Sequence, residues 1–328
     1  MIRRAFAVLS VVVAAGAAQA QDGVLSDPET GTETASAPAP PFSDNIGRRR
    51  IGYGRLFTND IIGDGKDRWR TGSITTSRVY GYGWDGAPPT RLFDLLELRL
   101  QGQVIAPTNL QINDPNDRRY AGVLSVGMHS HSSYGDFELS LGGDLVFVGP
   151  QTHVDELHKT IHDLLGEPEP SAAVLANQIG NTIRPTAVAE VGRTLPIGGA
   201  SIVRPFAEAR AGDESLFRVG ADFTFGLVGQ NELLVRESVT GQRYRVIYDS
   251  EPGTSFTFGG DIAYVGSSVY LPKNGGARLK DQRERLRAGF HWQGRNASAF
   301  YGLTYLGKEF EQQFEGQITG SLRLKLRF

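Results

Sequence analysis

The tail from Glu315 to Phe328 alternates strictly with period two, and this tail constrains the fold more than any other stretch. Gly316, Ile318, Gly320, Leu322, Leu324, Leu326 and Phe328 fall on one face, and Gln317, Thr319, Ser321, Arg323, Lys325 and Arg327 on the other. One face suits lipid and the other a wet lumen, which is the pattern of a closing strand in an outer-membrane barrel. A soluble sandwich strand alternates too, but it rarely carries three cations inward.

The other end of the chain supplies a route to that membrane. Arg3 and Arg4, an apolar stretch from Ala5 to Ala18, and Ala18-Gln19-Ala20 make residues 1–20 a secretory signal peptide. Residues 21–47, rich in Ser, Thr, Pro, Ala, Gly and acids, have too little apolar content to fold and are expected to form a disordered periplasmic lead-in. After the signal no apolar run approaches the ~18–20 residues that a spanning helix needs, so any passage through lipid is made by strands closed into a barrel. The 41 glycines among 328 residues suit a chain that twists and turns repeatedly, and the absence of cysteine removes disulfides and thiolate catalysis. A net charge of −2 gives no footing for a nucleic-acid partner.

Alternation recurs along the chain. Phe137, Leu139, Leu141, Leu145 and Phe147 oppose Glu138, Ser140 and Asp144, and Phe217, Val219, Phe223 and Phe225 oppose Arg218, Asp222 and Thr224. Strands are expected near 51–59, 67–83, 92–106, 118–132, 135–148, 184–195, 200–212, 215–228, 254–270, 282–293, 296–306 and 315–328. The fold class is therefore all-β: a twelve-stranded antiparallel transmembrane β-barrel over 48–328, even-numbered as bacterial barrels are. Residues 231–249 could add one more hairpin to make fourteen. With the N-terminus in the periplasm, the longest external loop is 149–183.

That loop is not irregular, because Val154, Leu157, Ile161, Leu164 and Leu165 recur at helical spacing. Thr152 with Asp155 suggests a loose capping box, and Gly166 a left-handed end. Asp155, His158 and His162 share one flank, where a histidine could serve as a general base. The topology brings Asn59, Asp60, Asp67, Thr71, Asp117, Arg118 and Tyr120 to the same rim. Asn59-Asp60 is also an ordinary turn pair, and His158 with His162 at i, i+4 could bind zinc only with a third ligand that the sequence does not name. Inward charges are ordinarily a solvated or salt-bridged lumen.

Phe57-Thr-Asn-Asp-Ile-Ile-Gly-Asp-Gly-Lys-Asp-Arg-Trp-Arg-Thr-Gly-Ser73, Asp117-Arg-Arg-Tyr-Ala-Gly122, and Val148-Gly-Pro150 followed by Glu156 and His162-Asp-Leu-Leu-Gly166 resemble the outer-membrane lipid A 3'-O-deacylase family, as does the pair Asn177-Gln178. The resemblance covers about residues 51–181 and implies a calcium- and histidine-dependent hydrolase of the 3'-linked acyl ester of lipid A. It implies that His162 activates water, that Asn59 and Asp60 form the family's Asn-Asp pair, and that Thr71 is an active-site hydroxyl, with Asp60 the carboxylate nearest Ca²⁺. Three positions depart from the family: no lysine lies between Thr108 and Asp117, His158 stands for glutamine and Leu175 for tryptophan.

The chemistry is consistent with that implication. A rim site meets the outer leaflet of a Gram-negative outer membrane, where lipopolysaccharide is the main lipid, and a monomeric barrel could take its ester sideways. With no cysteine and no nucleophile-elbow serine, a base with a metal is the economical scheme. The rival class is a non-enzymatic barrel, a small porin or adhesion scaffold, whose signature would be a continuous lumen. If the hydrolase reading holds, His162 must face Asn59, Asp60 and Thr71.

Overall fold

The structure is a computed structural model that describes residues 47–249 and 251–326. The expected signal peptide, nearly all of the expected lead-in, and Arg327 and Phe328 lie outside the described residues. Twelve strands form one closed antiparallel wall: β1 (Arg49–Asn59), β2 (Trp69–Gly81), β3 (Leu96–Ala106), β4 (Ala121–Tyr134), β5 (Phe137–Val148), β6 (Thr182–Gly192), β8 (Ser201–Ala211), β9 (Glu214–Gly226), β12 (Gly253–Ser268), β13 (Gln282–Gln293), β14 (Ala297–Leu306) and β15 (Gln317–Leu326). Pairing of Phe57 with Leu322 and of Asn59 with Gly320 joins β1 to β15 and closes the wall. The expected twelve-stranded barrel is thus the observed one. A short strand, β7 (Leu195–Gly198), extends the β6–β8 connection by pairing with β8.

The alternation decides which side of the wall each residue faces. Leu98, Leu100, Val126, Phe217, Ile262 and Leu286 are all about half exposed, as lipid-facing side chains are, while Thr319, Ser321 and Arg323 of β15 are buried toward the lumen.

The segment that could have made fourteen strands does form a hairpin, β10 (Leu233–Arg236) with β11 (Arg243–Ile247), but it forms its own two-stranded sheet and is not part of the wall. It fills the barrel interior. Leu233, Val235, Tyr244, Val246 and Ile247 pack against Leu56, Val79, Leu95 and Phe300 from the wall, and each such burial contributes about 1.5–3 kcal/mol. Gly52 and Gly54 permit the close approach: a Cβ on either would stand 2.5 Å from Val246. A hairpin with one apolar and one polar face has the pattern of a wall strand, so periodicity could not tell the two placements apart.

Ion pairs tie the hairpin to the wall. Arg236 reaches Glu190 at 2.7 Å and Asp222 at 2.9 Å, and Arg285 Nη1 donates to the Ser238 carbonyl at 2.9 Å. Further pairs, Arg285–Asp261 at 2.9 Å and Arg218–Asp261 at 3.0 Å, line the lumen, which keeps a cavity of about 410 Å³ beside the hairpin among Arg99, His129, Glu138 and Arg204. The structure gives the porin alternative an occupied lumen where that reading expected a continuous one.

Candidate active site

The upper rim is the end at which β1 finishes and β2 begins, and two loops meet there. The first loop, residues 60–68, folds back on β15. Gly63 and Gly65 both donate to the Asp60 carbonyl, at 2.9 and 3.0 Å, and Asp64 N–H donates to the Ile318 carbonyl at 3.0 Å. Gly63 must be glycine here, since a Cβ would stand 2.2 Å from that same carbonyl oxygen. β2 then starts irregularly: Trp69 has a φ of 54°, and the pairing with β3 skips a residue between Trp69 and Gly72. A bulge of this kind re-aims a side chain, and the residues inside it are Arg70 and Thr71.

The second loop carries helix α1 (Val154–Leu165), followed by the short α2 (Ala172–Ala176), whose N-terminus is capped by Ser171. The expected capping box is not formed. His153, in the left-handed region, is the N-cap, while Thr152 Oγ1 donates to the Gly149 carbonyl at 2.8 Å. Gly166 ends the helix in a left-handed cap as expected. The docked face also differs from the expected apolar stripe: Val154, His158 and His162 are buried, whereas Leu157 is 59% exposed. Gly122 makes room for this approach, because a Cβ there would stand 2.8 Å from Val154.

Docking on that face brings His162 to the first loop. Its Nε2 lies 3.1 Å from Asp67 Oδ2, and its Nδ1 lies 2.8 Å from the Pro168 carbonyl. A carbonyl only accepts, so Nδ1 carries a proton and the lone pair of neutral His162 sits on Nε2, toward Asp67. His158 packs edge-on to His162 with ring centroids 4.1 Å apart, and its Nδ1 meets the Tyr120 hydroxyl at 3.1 Å. Among the described residues, Asp67, His158 and His162 are the one His/Asp/Glu group of three whose ligand atoms all lie within 4.8 Å of one another.

Behind Asp67 stands Thr71, whose hydroxyl touches both Asp67 Oδ1 and, at 3.1 Å, Asp60 Oδ1. One hydroxyl has one proton to give, so this two-carboxylate arrangement calls for a further proton or a cation. Asp60 is fully buried and accepts from Arg68 N–H at 2.8 Å and Gln317 Nε2 at 3.1 Å. Burial, and then the charge of Asp67, push the Asp60 carboxyl well above the usual carboxylate range. Burial would raise Asp67 too, but hydrogen bonds from His162 and Thr71 outweigh it and hold its pKa down. Burial disfavours charge on His162, yet its bonds to Asp67 and Pro168 prevail and raise it, while burial and the His162 charge take His158 down to about 4.

Of the residues anticipated from sequence, His162, Asp67, Thr71 and Asp60 form one chain of contacts in that order. The carboxylate against His162 is Asp67, with Asp60 one hydroxyl behind it. Asn59 is held apart from this chain; its Oδ1 accepts from Ile61 N–H at 2.8 Å in a local turn, on the alternate face of β1. Tyr120 joins through His158, whereas Arg118 turns into the lumen toward Glu309, and Asp117 braces its own loop by accepting from the N–H groups of Thr108 and Arg118. The Pro168 carbonyl, which fixes the tautomer, carries no signal in sequence because every residue has a carbonyl. A cleft of about 310 Å³ at the start of β2 is lined by Trp69, Ile112, Phe310 and Phe314 with Asp114 and Asp117, and by none of His162, Asp67, Thr71 and Asp60.

A histidine with a fixed tautomer, a carboxylate and a hydroxyl at a barrel rim can activate a water and stabilise charge. The family described as outer membrane protein LpxR matches residues 35–328. Among solved structures, LpxR from Salmonella typhimurium superposes with a TM-score of 0.71 at 16% identity, over 84% of this chain and 100% of that one. The NanC porin gives 0.39 at 6% identity over 84% and 100% of the two chains, and the β domain of the Bordetella autotransporter BrkA 0.38 at 11% over 84% and 98%. No curated protein matches the chain.

Proposed function

Because the chain belongs to the LpxR family and is an outer-membrane β-barrel of a Gram-negative bacterium, we propose that it is a hydrolase that removes the 3'-linked acyl group of lipid A in the outer leaflet. The observation that carries this reading is the His162–Asp67 contact of 3.1 Å on a histidine whose other nitrogen is locked by Pro168. His162 Nε2 takes the proton of an attacking water, and Pro168 stabilises the imidazolium through Nδ1–H. Thr71 orients Asp67 and water, and Asp60, sealed beneath, holds Thr71 in place through its carboxylate. The cleft at Trp69 and Phe314, which Asp67 and His162 do not line, is assigned to a part of the substrate away from the ester.

The oxygen donors of Asp67, Thr71 and Asp60 suit calcium, a hard cation that takes carboxylate and other oxygen ligands, and a cation there would balance the two carboxylates that share the Thr71 hydroxyl, as a proton on Asp60 does without it. A calcium ion held there would supply charge against the tetrahedral oxyanion and relieve Asp67 of its claim on the His162 proton. Asn59, outside this chain of contacts, is assigned to shaping the turn that presents Asp60.

Mass spectrometry of lipid A from cells that express the protein tests the reading. Wild type in calcium is expected to release the 3' acyl chain, and His162→Ala or chelation to abolish the release. If wild type in calcium leaves every 3' chain in place, the assignment is wrong.

A further inference from the structure

The trio at the rim has a second property that ester hydrolysis does not require. We propose that Asp67, His158 and His162 form a binding site for a borderline transition-metal cation, zinc above all, distinct in donor chemistry from a calcium site. Their ligand atoms lie within 4.8 Å of one another. Donors about 2.0–2.2 Å from a shared ion stand about 3.4 Å apart at the tetrahedral angle, and the His162–Asp67 contact is already 3.1 Å. The other spacings, at most 4.8 Å, need to close by no more than about 1.4 Å.

The surroundings of the histidines carry the inference further than proximity does. Metal-bound histidines use one nitrogen for the ion and give the other to an outer partner that fixes the ring. Both histidines here have such a partner at Nδ1, the Pro168 carbonyl at 2.8 Å for His162 and the Tyr120 hydroxyl at 3.1 Å for His158, which leaves Nε2 of each as the ligand nitrogen. The spacing i, i+4 sets the two rings on one face of α1, and the first loop supplies the carboxylate. Imidazole nitrogens suit zinc, whereas calcium takes oxygen. Two nitrogens and one oxygen leave a fourth, open position for water. Zinc would occupy the same His162 lone pair that the hydrolase reading gives to a water proton, so the two uses exclude each other.

The proposal goes beyond the hydrolase reading and is tested by metal binding alone. The untagged full chain, folded in detergent micelles, is titrated with zinc by calorimetry and with cobalt(II) by visible absorption. One ion per chain is expected, with the d–d bands of a four-coordinate site. His158→Gln keeps a hydrogen-bonding partner for Tyr120, and it and Asp67→Asn should each weaken binding at least about tenfold. Absence of binding would overturn the proposal, and so would variants that bind as wild type does, since the zinc would then lie on other residues. X-ray absorption on zinc-loaded wild type provides a readout that needs no variant: two imidazoles per zinc are expected, and any other number counts against the site.

Discussion

Two histidine–aspartate pairs in this barrel have nearly the same geometry and opposite surroundings. His129 Nε2 lies 2.9 Å from Asp144 Oδ1 inside the wall, and His162 Nε2 lies 3.1 Å from Asp67 Oδ2 at the rim. The inner pair is boxed in: a Cβ on Gly142 would stand 2.0 Å from His129 Nδ1, one on Gly127 would stand 1.8 Å from Asp144 Oδ1, and Arg210 lies 3.8 Å from the same carboxylate. On its other side His129 lines an inner cavity of about 410 Å³ whose wall is charged, with Arg99, Glu138, Arg204 and Arg210. The rim pair has a second histidine, a hydroxyl shared between two carboxylates, and an Asp67 side chain that is 23% exposed. A histidine–carboxylate contact is therefore not a site by itself. What separates the two is the second histidine beside the rim pair and the second carboxylate that shares its hydroxyl, at a place open to solvent.

The largest expected difference between the pairs is in turnover. His162→Ala should lower deacylation of lipid A by about 10²–10⁴, the usual contribution of a general base, while His129→Ala in a folded barrel should leave the rate unchanged. A comparable loss in both variants, assayed on purified folded protein, would remove the distinction.

Stability should show the reverse order. Asp144→Ala leaves the buried His129 Nε2 without its partner at 2.9 Å, while Arg210 keeps Asp213 at 2.7 Å, and a buried polar group left unpaired costs about 1–3 kcal/mol. Asp67→Ala, at a partly exposed position, should cost less than about 1 kcal/mol. Equilibrium unfolding in urea from lipid vesicles measures both, and equal losses would mean that the rim is as structural as the wall.

A smaller effect sharpens the rim side of the comparison. Because the hydrogen bond to Asp67 raises His162 in the folded protein, its imidazole should titrate above about 6.5, the ordinary histidine value. The basic, proton-accepting form, and with it activity, should grow as pH rises through that raised value. Asp67→Asn removes the carboxylate that stabilises the imidazolium, so the titration should move toward acid. Nuclear magnetic resonance of labelled histidine in metal-free protein follows this directly; a midpoint that does not respond to Asp67→Asn would show that Asp67 does not govern the proton.

Much of this was legible before any coordinates. The strand pattern from Phe137 to Val148, or from Gln317 to Leu326, follows from a local rule: successive side chains on a strand point to opposite sides, so a wall between lipid and lumen must alternate. The rim location of His162, Thr71 and Asp60 followed from strand order alone. The side chain that touches His162 did not, because Asp60, Asp64 and Asp67 lie within one short loop and nothing in their order says which is sealed behind a hydroxyl.

The sequence by itself determined the barrel, the twelve segments that form its wall, though not that the thirteenth and fourteenth stay out of it, the helix in the long loop and the neighbourhood of the site, since each rests on periodicity or on chain order. Only the tertiary structure decided three things. It placed the 233–247 hairpin inside the lumen because Gly52 and Gly54 leave space against β1. It turned the histidine face of α1 inward, with Leu157 left outside, because Gly122 admits Val154 at the rim. And it chose Asp67 over Asp60, because the bulge at Trp69 and the closure of the first loop on β15 bury one carboxylate and present the other. Each of these choices depends on contacts between segments far apart in the chain, which no local pattern encodes.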